Sequence, residues 1–118
     1  MFDRLEIFTL ASAQARHAAA RQAVVARNIA NSDIPGYRAR DIADFAETLR
    51  QVRTRAEGAT GDLSFRTRDA GTPASPNGNS VSLELEMLRG IEAQRAHSRA
   101  IRVYGAALGI LRASIGRN

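Results

Sequence analysis

The stretch NIANSDIPGYR, residues 28–38, ends a helical segment and decides where the chain reverses. Ile34 precedes Pro35, whose ring pushes it out of the helical region of backbone space. Pro35 and Gly36 suit the two central positions of a type II turn, because the second position needs a positive φ that glycine adopts at little cost. The stretch therefore predicts a helix end followed by a tight turn.

The segment before this turn, from Leu5 to about Ile29, has the apolar spacing of an α-helix. Its main seam at three-four spacing consists mostly of small residues: Leu5, Phe8, Ser12, Ala15, Ala19, Gln22, Ala26 and Ile29. A second stripe runs beside this seam, through Ile7, Ala11, Ala18 and Val25. Apolar positions on more than one face predict that this helix contacts more than one neighbour.

The chain after the turn changes character twice. Apolar residues at positions 42, 45, 49 and 52 predict a short amphipathic helix with Asp41 or Asp44 near its start. Residues 56–80 are rich in Gly, Pro and Ser, which predicts a flexible linker with at most one short strand or hairpin near Leu63–Phe65.

A second long helix is predicted from about Ser82 to Ile115, with Ser82 as its N-cap. Its predicted seam comprises Met87, Ile91, Gln94, Ser98, Ile101, Gly105, Leu108 and Ile115. Glu84 and Glu86 are interpreted as charges favoured in the first turn of a helix. The fold is thus predicted to be mainly α, with two long terminal helices forming a coiled-coil-like pair. Its predicted parts are an N-terminal helix (1–31), the turn and short helix (32–55), the linker (56–80) and a C-terminal helix (81–118).

Composition excludes several functional classes. The chain has 118 residues, no cysteine, no lysine and a net charge of +5. It therefore has neither thiolate chemistry nor the lysine of a phosphate-binding loop. His17 and His97 have no metal ligand three or four residues later, so we expect them to have packing or surface roles. No cofactor, metal, small-molecule substrate or enzymatic activity is expected.

The energetics of this fold predict dependence on neighbours. Seams of small residues bury little apolar area, and small cores are marginal on their own. We expect the isolated monomer to be weakly ordered and to complete its packing against other subunits. The predicted packing residues are Leu5, Phe8, Ile29, Met87, Ile91, Ile101 and Leu108. The predicted turn motif is Pro35, Gly36 and Tyr37, with Asn28 and Asn31 satisfying backbone groups at the helix end, where Asn31 would take a left-handed cap conformation.

The stretch ARNIANSDIPGYRARDIADF (residues 26–45) resembles the N-terminal signature of the axial proteins of the bacterial flagellum. The matching positions are Asn28, Asn31, Pro35, Gly36 and Tyr37, while Ile34 stands where the family usually has threonine. The C-terminal segment from Asn77 to Gly116 is similar to the basal-body rod proteins of this family, in particular those of the proximal rod. There His97 stands where a tyrosine is usual.

The resemblance implies a structural subunit whose terminal helices polymerise into a helical tube around the export channel and transmit torque. It implies export through the flagellar type III apparatus and a place in the periplasmic rod, and we accordingly expect no cleaved signal. The implied partners are its own copies, other rod subunits, the rod-to-ring adaptor, the membrane ring protein and the export apparatus. Nucleic acid is not among them.

Two other functions compatible with the residues are kept as alternatives. The first is a cytoplasmic export chaperone or adaptor, a helical hairpin that would hold partner helices. The second is an arginine-rich helical protein that binds nucleic acid, although the arginines are not interleaved with stacking aromatic residues.

Overall fold

A computed structural model describes residues 2–55 and 65–116, with side chains described for residues 6–50 and 65–116. The elements follow in the order α1 (Phe2–Ala30), β1 (Arg40–Ile42), α2 (Phe45–Arg55), β2 (Thr67–Asp69) and α3 (Leu83–Ile115). The mainly helical fold with two long terminal helices and a short one is therefore confirmed. The molecule is elongated, measuring 67 × 30 × 15 Å.

The two long helices run antiparallel and form the body of the fold. Near one end, a Cβ built on Gly90 of α3 would lie 3.5 Å from Val25 Cγ1 of α1. Towards the other end, the rings of Phe8 and Tyr104 meet edge to face with their centroids 5.1 Å apart. The buried positions recur at seven-residue spacing, as in a coiled coil, and most of them are alanine: Ala11, Ala18 and Val25 on α1, and Glu86, Ala93 and Ala100 on α3.

The helix faces that pack differ from those expected. On α1 the stripe through Ala11, Ala18 and Val25 faces α3, whereas Ala19 and Ala26 of the expected main seam are exposed. The physical reason is the size of the side chains. Alanine on both helices allows their backbones to approach closely, and larger side chains along the same line would force the helices apart. The bulky apolar residues of α3 consequently lie outside this contact.

A small antiparallel sheet lies beside the helix pair. β1 and β2 pair with Arg40 opposite Asp69, Asp41 opposite Arg68 and Ile42 opposite Thr67. Ile42 was expected in the stripe of the short helix, but it lies in β1 and is buried. β2 falls within the predicted linker, immediately after the expected strand position, of which Leu63 and Ser64 lie outside the described residues.

The ends of the helices follow their local sequence signals. The Ser82 side chain accepts a hydrogen bond from the Leu85 N–H at 3.4 Å, which confirms the predicted N-cap of α3. Asp44 immediately precedes α2, and its carbonyl accepts the Thr48 N–H at 2.9 Å. Within residues 2–55 and 65–116, no helix combines the length and apolarity needed to cross a bilayer.

Candidate functional site

The predicted type II turn is present at residues 34–37. The Tyr37 N–H donates to the Ile34 carbonyl at 3.2 Å, closing the turn, and Gly36 has a φ of 77° at its third position. Pro35 occupies the second position, where its fixed φ suits the turn. Local sequence alone therefore specifies the point at which the chain leaves the axis of α1.

The turn is tied to the segment that precedes α3. The Gly36 N–H donates to the Asn77 carbonyl at 3.0 Å, and the Ser80 N–H donates to the Tyr37 carbonyl at 2.9 Å. The Ala39 N–H donates to Ser80 Oγ at 2.8 Å. We call the two segments joined in this way, residues 28–40 and 77–80, the corner clasp. Because these segments are distant in sequence, the clasp closes the chain into a loop at one end of the helix pair.

Asn28 connects α1 to β1 within the clasp. Its side chain has no exposed surface. The Nδ2 group donates to the Arg40 carbonyl at 2.7 Å, while Oδ1 accepts from the Arg40 N–H at 3.1 Å and from the Tyr37 hydroxyl at 3.0 Å. An amide matches a backbone donor and acceptor at once. Asn28 thus bonds to the backbone of the neighbouring strand, whereas we had expected it to bond to backbone groups at the end of its own helix.

Asn31 ends the helix in a different way from the one expected. Its Nδ2 donates to the Arg27 carbonyl at 2.7 Å, so it does satisfy a backbone group at the helix end. However, it does not adopt the left-handed conformation, since among the described residues only glycines have positive φ. The chain instead continues through successive turns, with the Ser32 N–H donating to Ile29 and the Ile34 N–H donating to the Asn31 carbonyl.

Asn79 holds the same carbonyl groups from the other segment of the clasp. It is almost fully buried, and its Nδ2 donates to the carbonyls of Asn31 at 2.9 Å and Ile34 at 2.7 Å. Its Oδ1 accepts from the Val81 N–H at 2.8 Å, which orients the amide. Sequence reasoning included Asn79 only as part of the C-terminal segment that resembles rod proteins, because bonds across more than forty residues leave no local signal.

Two glycines make the crossing of the clasp segments possible. Gly36 and Gly78 both have positive φ, 77° and 85°. A Cβ built on Gly78 would lie 3.2 Å from Gly36 Cα, which is tighter than ordinary contact. The role of Gly78 was not predicted, since it lies in the segment expected to be a flexible linker. The pair Asn77-Gly78 is nonetheless a recognised turn signal.

Ion pairs link the strand to both long helices beside the clasp. Asp41 of β1 lies 3.5 Å from Arg21 of α1 and 3.8 Å from Arg89 of α3. Arg89 pairs with Glu86 at 2.9 Å, and Arg21 with Glu92 at 3.5 Å. Glu86 is completely buried, and its Oε2 has no hydrogen-bond partner among the described residues. Breaking such a buried pair is costly, so these charges favour a single register of α1, α3 and β1.

The rim of the small sheet carries one titratable group with a perturbed pKa. The Gly71 N–H donates to Asp69 Oδ1 at 2.7 Å and holds the pKa of that carboxyl below its usual value, and Arg38 at 3.2 Å lowers it further. Both partners favour the ionised form. The contact therefore ties β2 to the segment just after the turn.

The predicted packing residues have different surroundings. Phe8 packs against Tyr104, and Leu108 is half-buried. Ile29, Ile91 and Ile101 are exposed, and Met87 has 63% of its surface exposed. The side chain of Leu5 lies outside the described residues. The contacts of these residues between subunits stay a prediction.

His17 has the packing role that was expected of it. It is buried, with Nε2 2.6 Å from the Ala43 carbonyl oxygen, and its ring meets Phe45 and Phe65 edge to face. This contact packs the start of α2 and residue 65 against α1. Within the described parts of the chain, no cluster of His, Cys, Asp or Glu could hold a metal ion.

Comparison with known proteins shows that α1 and the turn after it are similar to a known protein family. The model of the family described as "Flagella basal body rod protein" matches residues 7–38. The matched range covers most of α1 and ends at Arg38, directly after the type II turn. It therefore contains the whole N-terminal motif from Asn28 to Tyr37.

Curated relatives show the same similarity. The "Flagellar basal body rod protein FlgB" of Salmonella typhimurium is 44% identical over 66 residues, which are 55% of this chain and 47% of that protein. The protein of the same name from Escherichia coli is 60% identical over 42 residues, 36% of this chain and 30% of that protein. The matched stretches thus span less than half the length of these relatives. The resemblance to flagellar basal body rod proteins, and to FlgB among them, is confirmed over these parts of the chain.

Proposed function

We propose that the chain is a structural subunit of the proximal rod in the flagellar basal body. The observation that carries the proposal is that small apolar residues are buried and large ones are exposed, in a chain similar to rod proteins. Alanines fill the contact between α1 and α3, whereas bulky residues of α3 such as Met87, Ile91 and Ile101 are exposed. The larger apolar side chains are therefore available for contacts with other molecules.

Three of the exposed apolar residues of α3 share one face, whereas others, such as Leu88 and Ile110, are exposed elsewhere on the helix. Met87, Ile91 and Ile101 recur at helical spacing beside the buried alanines, and Gly105 continues the same face towards the C-terminal end. Between Ile91 and Ile101 the same face also carries the polar side chains of Gln94 and Ser98. Exposed apolar side chains grouped on one face mark interaction sites in proteins. Each square ångström removed from water contributes about 25 cal/mol, so a row of such side chains favours association strongly. Gly105 has nothing within 4 Å of its Cβ position, which leaves room for another helix.

The corner clasp would give each subunit a fixed shape before it meets this neighbour. Its backbone groups are bonded within the chain, so a partner is not needed to satisfy them. A polymer built from such subunits would carry torque through its packed helices, with the clasp holding each helix pair together at one end. Own copies and other rod subunits are the proposed partners on the exposed face. The rod-to-ring adaptor, the membrane ring and the export apparatus are proposed as further contacts in the periplasmic basal body.

Purification of hook–basal bodies tests this proposal. A tagged chain would be expressed in a flagellated bacterium that lacks its own copy of the subunit, and the purified particles would be probed for the tag. We expect the chain in the particles and restored motility. A chain found only in the cytoplasm would contradict the proposal and favour an export chaperone.

Variants of the exposed face sharpen the same experiment. Replacing Met87 and Ile101 together by serine should remove the chain from the particles. Because both side chains are already more than half exposed, its free energy of unfolding should change by only about 1 kcal/mol. The matched control replaces Arg99 and Arg102, two exposed charged residues of α3, by glutamine. Equal loss from the particles in both double variants would contradict a role specific to the apolar face.

A further inference from the structure

Asn77 and Gly78 form the only Asn-Gly pair in the sequence, and they lie in the corner clasp. In such a pair the backbone nitrogen of the glycine can attack the side-chain carbon of the asparagine, because glycine has no side chain to hinder the approach. We propose that Asn77 is a site of spontaneous deamidation, and that the state of the clasp controls its rate. This inference stands whether or not the chain assembles into a rod.

The reaction needs only water as a co-reactant. A bond forms between the Gly78 nitrogen and Asn77 Cγ, and the bond from Cγ to the side-chain nitrogen breaks. The proton lost by the Gly78 nitrogen leaves with that group as ammonia. Water then opens the resulting succinimide ring at either of its two carbonyls. The products are aspartate, which keeps the length of the backbone, and isoaspartate, which adds one methylene to it.

In the closed clasp, hydrogen bonds hold the backbone and side-chain groups that must move when the succinimide ring forms. The Gly78 N–H donates to the Ser75 carbonyl at 2.8 Å, so the attacking nitrogen is engaged. The Asn77 carbonyl accepts the Gly36 N–H at 3.0 Å, and Asn77 Oδ1 accepts the Asn79 N–H at 3.0 Å. The Asn77 side chain is itself exposed to water. Protection therefore comes from the bonded backbone and not from burial.

The two products differ in their effect on the clasp. Aspartate at position 77 still offers an oxygen to the Asn79 N–H and leaves the backbone unchanged. Isoaspartate lengthens the backbone where Gly78 lies against Gly36, at the 3.2 Å approach described above. It also shifts the carbonyl that accepts the Gly36 N–H. Isoaspartate should therefore prevent the clasp from closing, while aspartate should not.

Mass spectrometry of the full chain tests the proposal. The chain would be incubated at neutral pH, with and without urea, and digested with trypsin. Deamidation would be measured on the peptide of residues 69–89, with fragmentation separating Asn77 from Asn79. Only molecules with an open clasp react, so a clasp open in about one molecule in a hundred slows the reaction about a hundredfold. We expect Asn77 to react at least tenfold faster in urea.

Variants distinguish opening of the clasp from other effects. Asn79→Ala removes the bonds to the carbonyls of Asn31 and Ile34 without changing the Asn77-Gly78 peptide, and it should raise the rate in buffer towards the rate in urea. Tyr37→Phe removes a single bond to Asn28 and should give an intermediate rate if Asn79→Ala unfolds the chain. Gln94→Ala, on the exposed surface of α3, is the matched control and should react like the unchanged chain.

Two results would overturn the proposal. One is an equal rate at Asn77 in buffer and in urea. The other is a rate in buffer that neither clasp variant raises. The products give a further check, in which Asn77→Asp should retain the circular dichroism and protease resistance of the original chain. A chain aged in urea and returned to buffer should lose protease resistance at residues 77–80 in proportion to its isoaspartate content. Full resistance despite isoaspartate would contradict the role of backbone length.

Discussion

The two ends of the helix pair are built on different principles. At the clasp end, backbone groups and buried amides are bonded to one another, and Arg21, Arg38 and Arg89 each pair with a carboxylate. Towards the other end, no ion pair among the described residues involves Arg99 or Arg102. Large apolar side chains are exposed at both ends, among them Met87 near the clasp and Ile110 far from it. The contrast indicates that hydrogen bonds and ion pairs within the chain stabilise the clasp end.

The largest effect is expected from removal of the central amide of the clasp. Asn28→Ala deletes its bonds to Tyr37 and Arg40 and leaves backbone groups of Arg40 without partners, which should cost about 3 kcal/mol of unfolding free energy. Asn31→Ala, three residues later, loses one exposed side-chain bond and should cost about 1 kcal/mol or less. Urea unfolding followed by circular dichroism measures both. Similar losses of unfolding free energy in the two variants would contradict the larger role assigned to Asn28.

The clasp glycines should give the next largest effect. Gly36 and Gly71 have nearly the same positive φ and open space at their Cβ positions, so alanine at either should cost about 1 kcal/mol through backbone strain. Gly78→Ala adds the close contact with Gly36 and should cost about 2 kcal/mol or more.

The three glycine variants are compared by urea unfolding. Gly71 serves as the control outside the clasp, because it has the same strain without the crossing. Gly36→Ala should also reduce incorporation into hook–basal bodies while leaving export largely intact. If Gly78→Ala cost no more than Gly71→Ala, the approach of the two backbones would not contribute to stability.

At the far end, substitution of a glycine should stabilise the single chain. Gly105 lies inside α3 with nothing near its Cβ position, so Gly105→Ala should raise the unfolding free energy by up to about 1 kcal/mol. If a neighbouring helix occupies that space in the assembly, the same variant should enter hook–basal bodies poorly. Gly109→Ala, which also has open space, is the comparison. Improved stability together with normal incorporation would show that no helix packs closely at Gly105.

The smallest effect concerns acid. Since the pKa of Asp69 is lowered in the folded chain, its contribution to stability is fully present above its unfolded pKa and is lost as the pH falls through the lower, folded value. The carboxyl is exposed, so only a slight change is expected below about pH 4. The chemical shift of the Asp69 carboxyl carbon, followed by NMR titration, measures the pKa. Arg38→Gln should bring that pKa closer to its usual value, with Arg66→Gln as the control.

Sequence reasoning succeeded where the determinants are local. The extent of α1 and α3, the Ser82 cap and the turn at Pro35-Gly36 all follow from residues within a few positions of one another. The packing role of His17 was also expected. The family resemblance rested on the stretch around that turn and on the C-terminal segment from Asn77 to Gly116.

What could not be predicted depends on contacts between distant segments. Asn79 and Gly78 have their partners more than forty residues earlier, and nothing around them in the sequence indicates this. The α3 side of the helix contact was missed for another reason, although the α1 stripe through Ala11, Ala18 and Val25 had been noted. Large apolar residues normally predict a core, but here Ala18 and Ala93 pack inside while Met87 lies outside.

The clasp also acts as the fixed support of a long lever. α3 has 33 residues and is therefore about 50 Å long, and the clasp lies at its start. A rotation of one degree at the support would move the far tip of α3 by about 0.9 Å, which is more than half the rise of one helical residue. Small errors at the corner would thus become large errors of position at the other end. The many hydrogen bonds of the clasp fix the direction of α3 at its start. A change of angle there has the greatest effect on the position of the far tip.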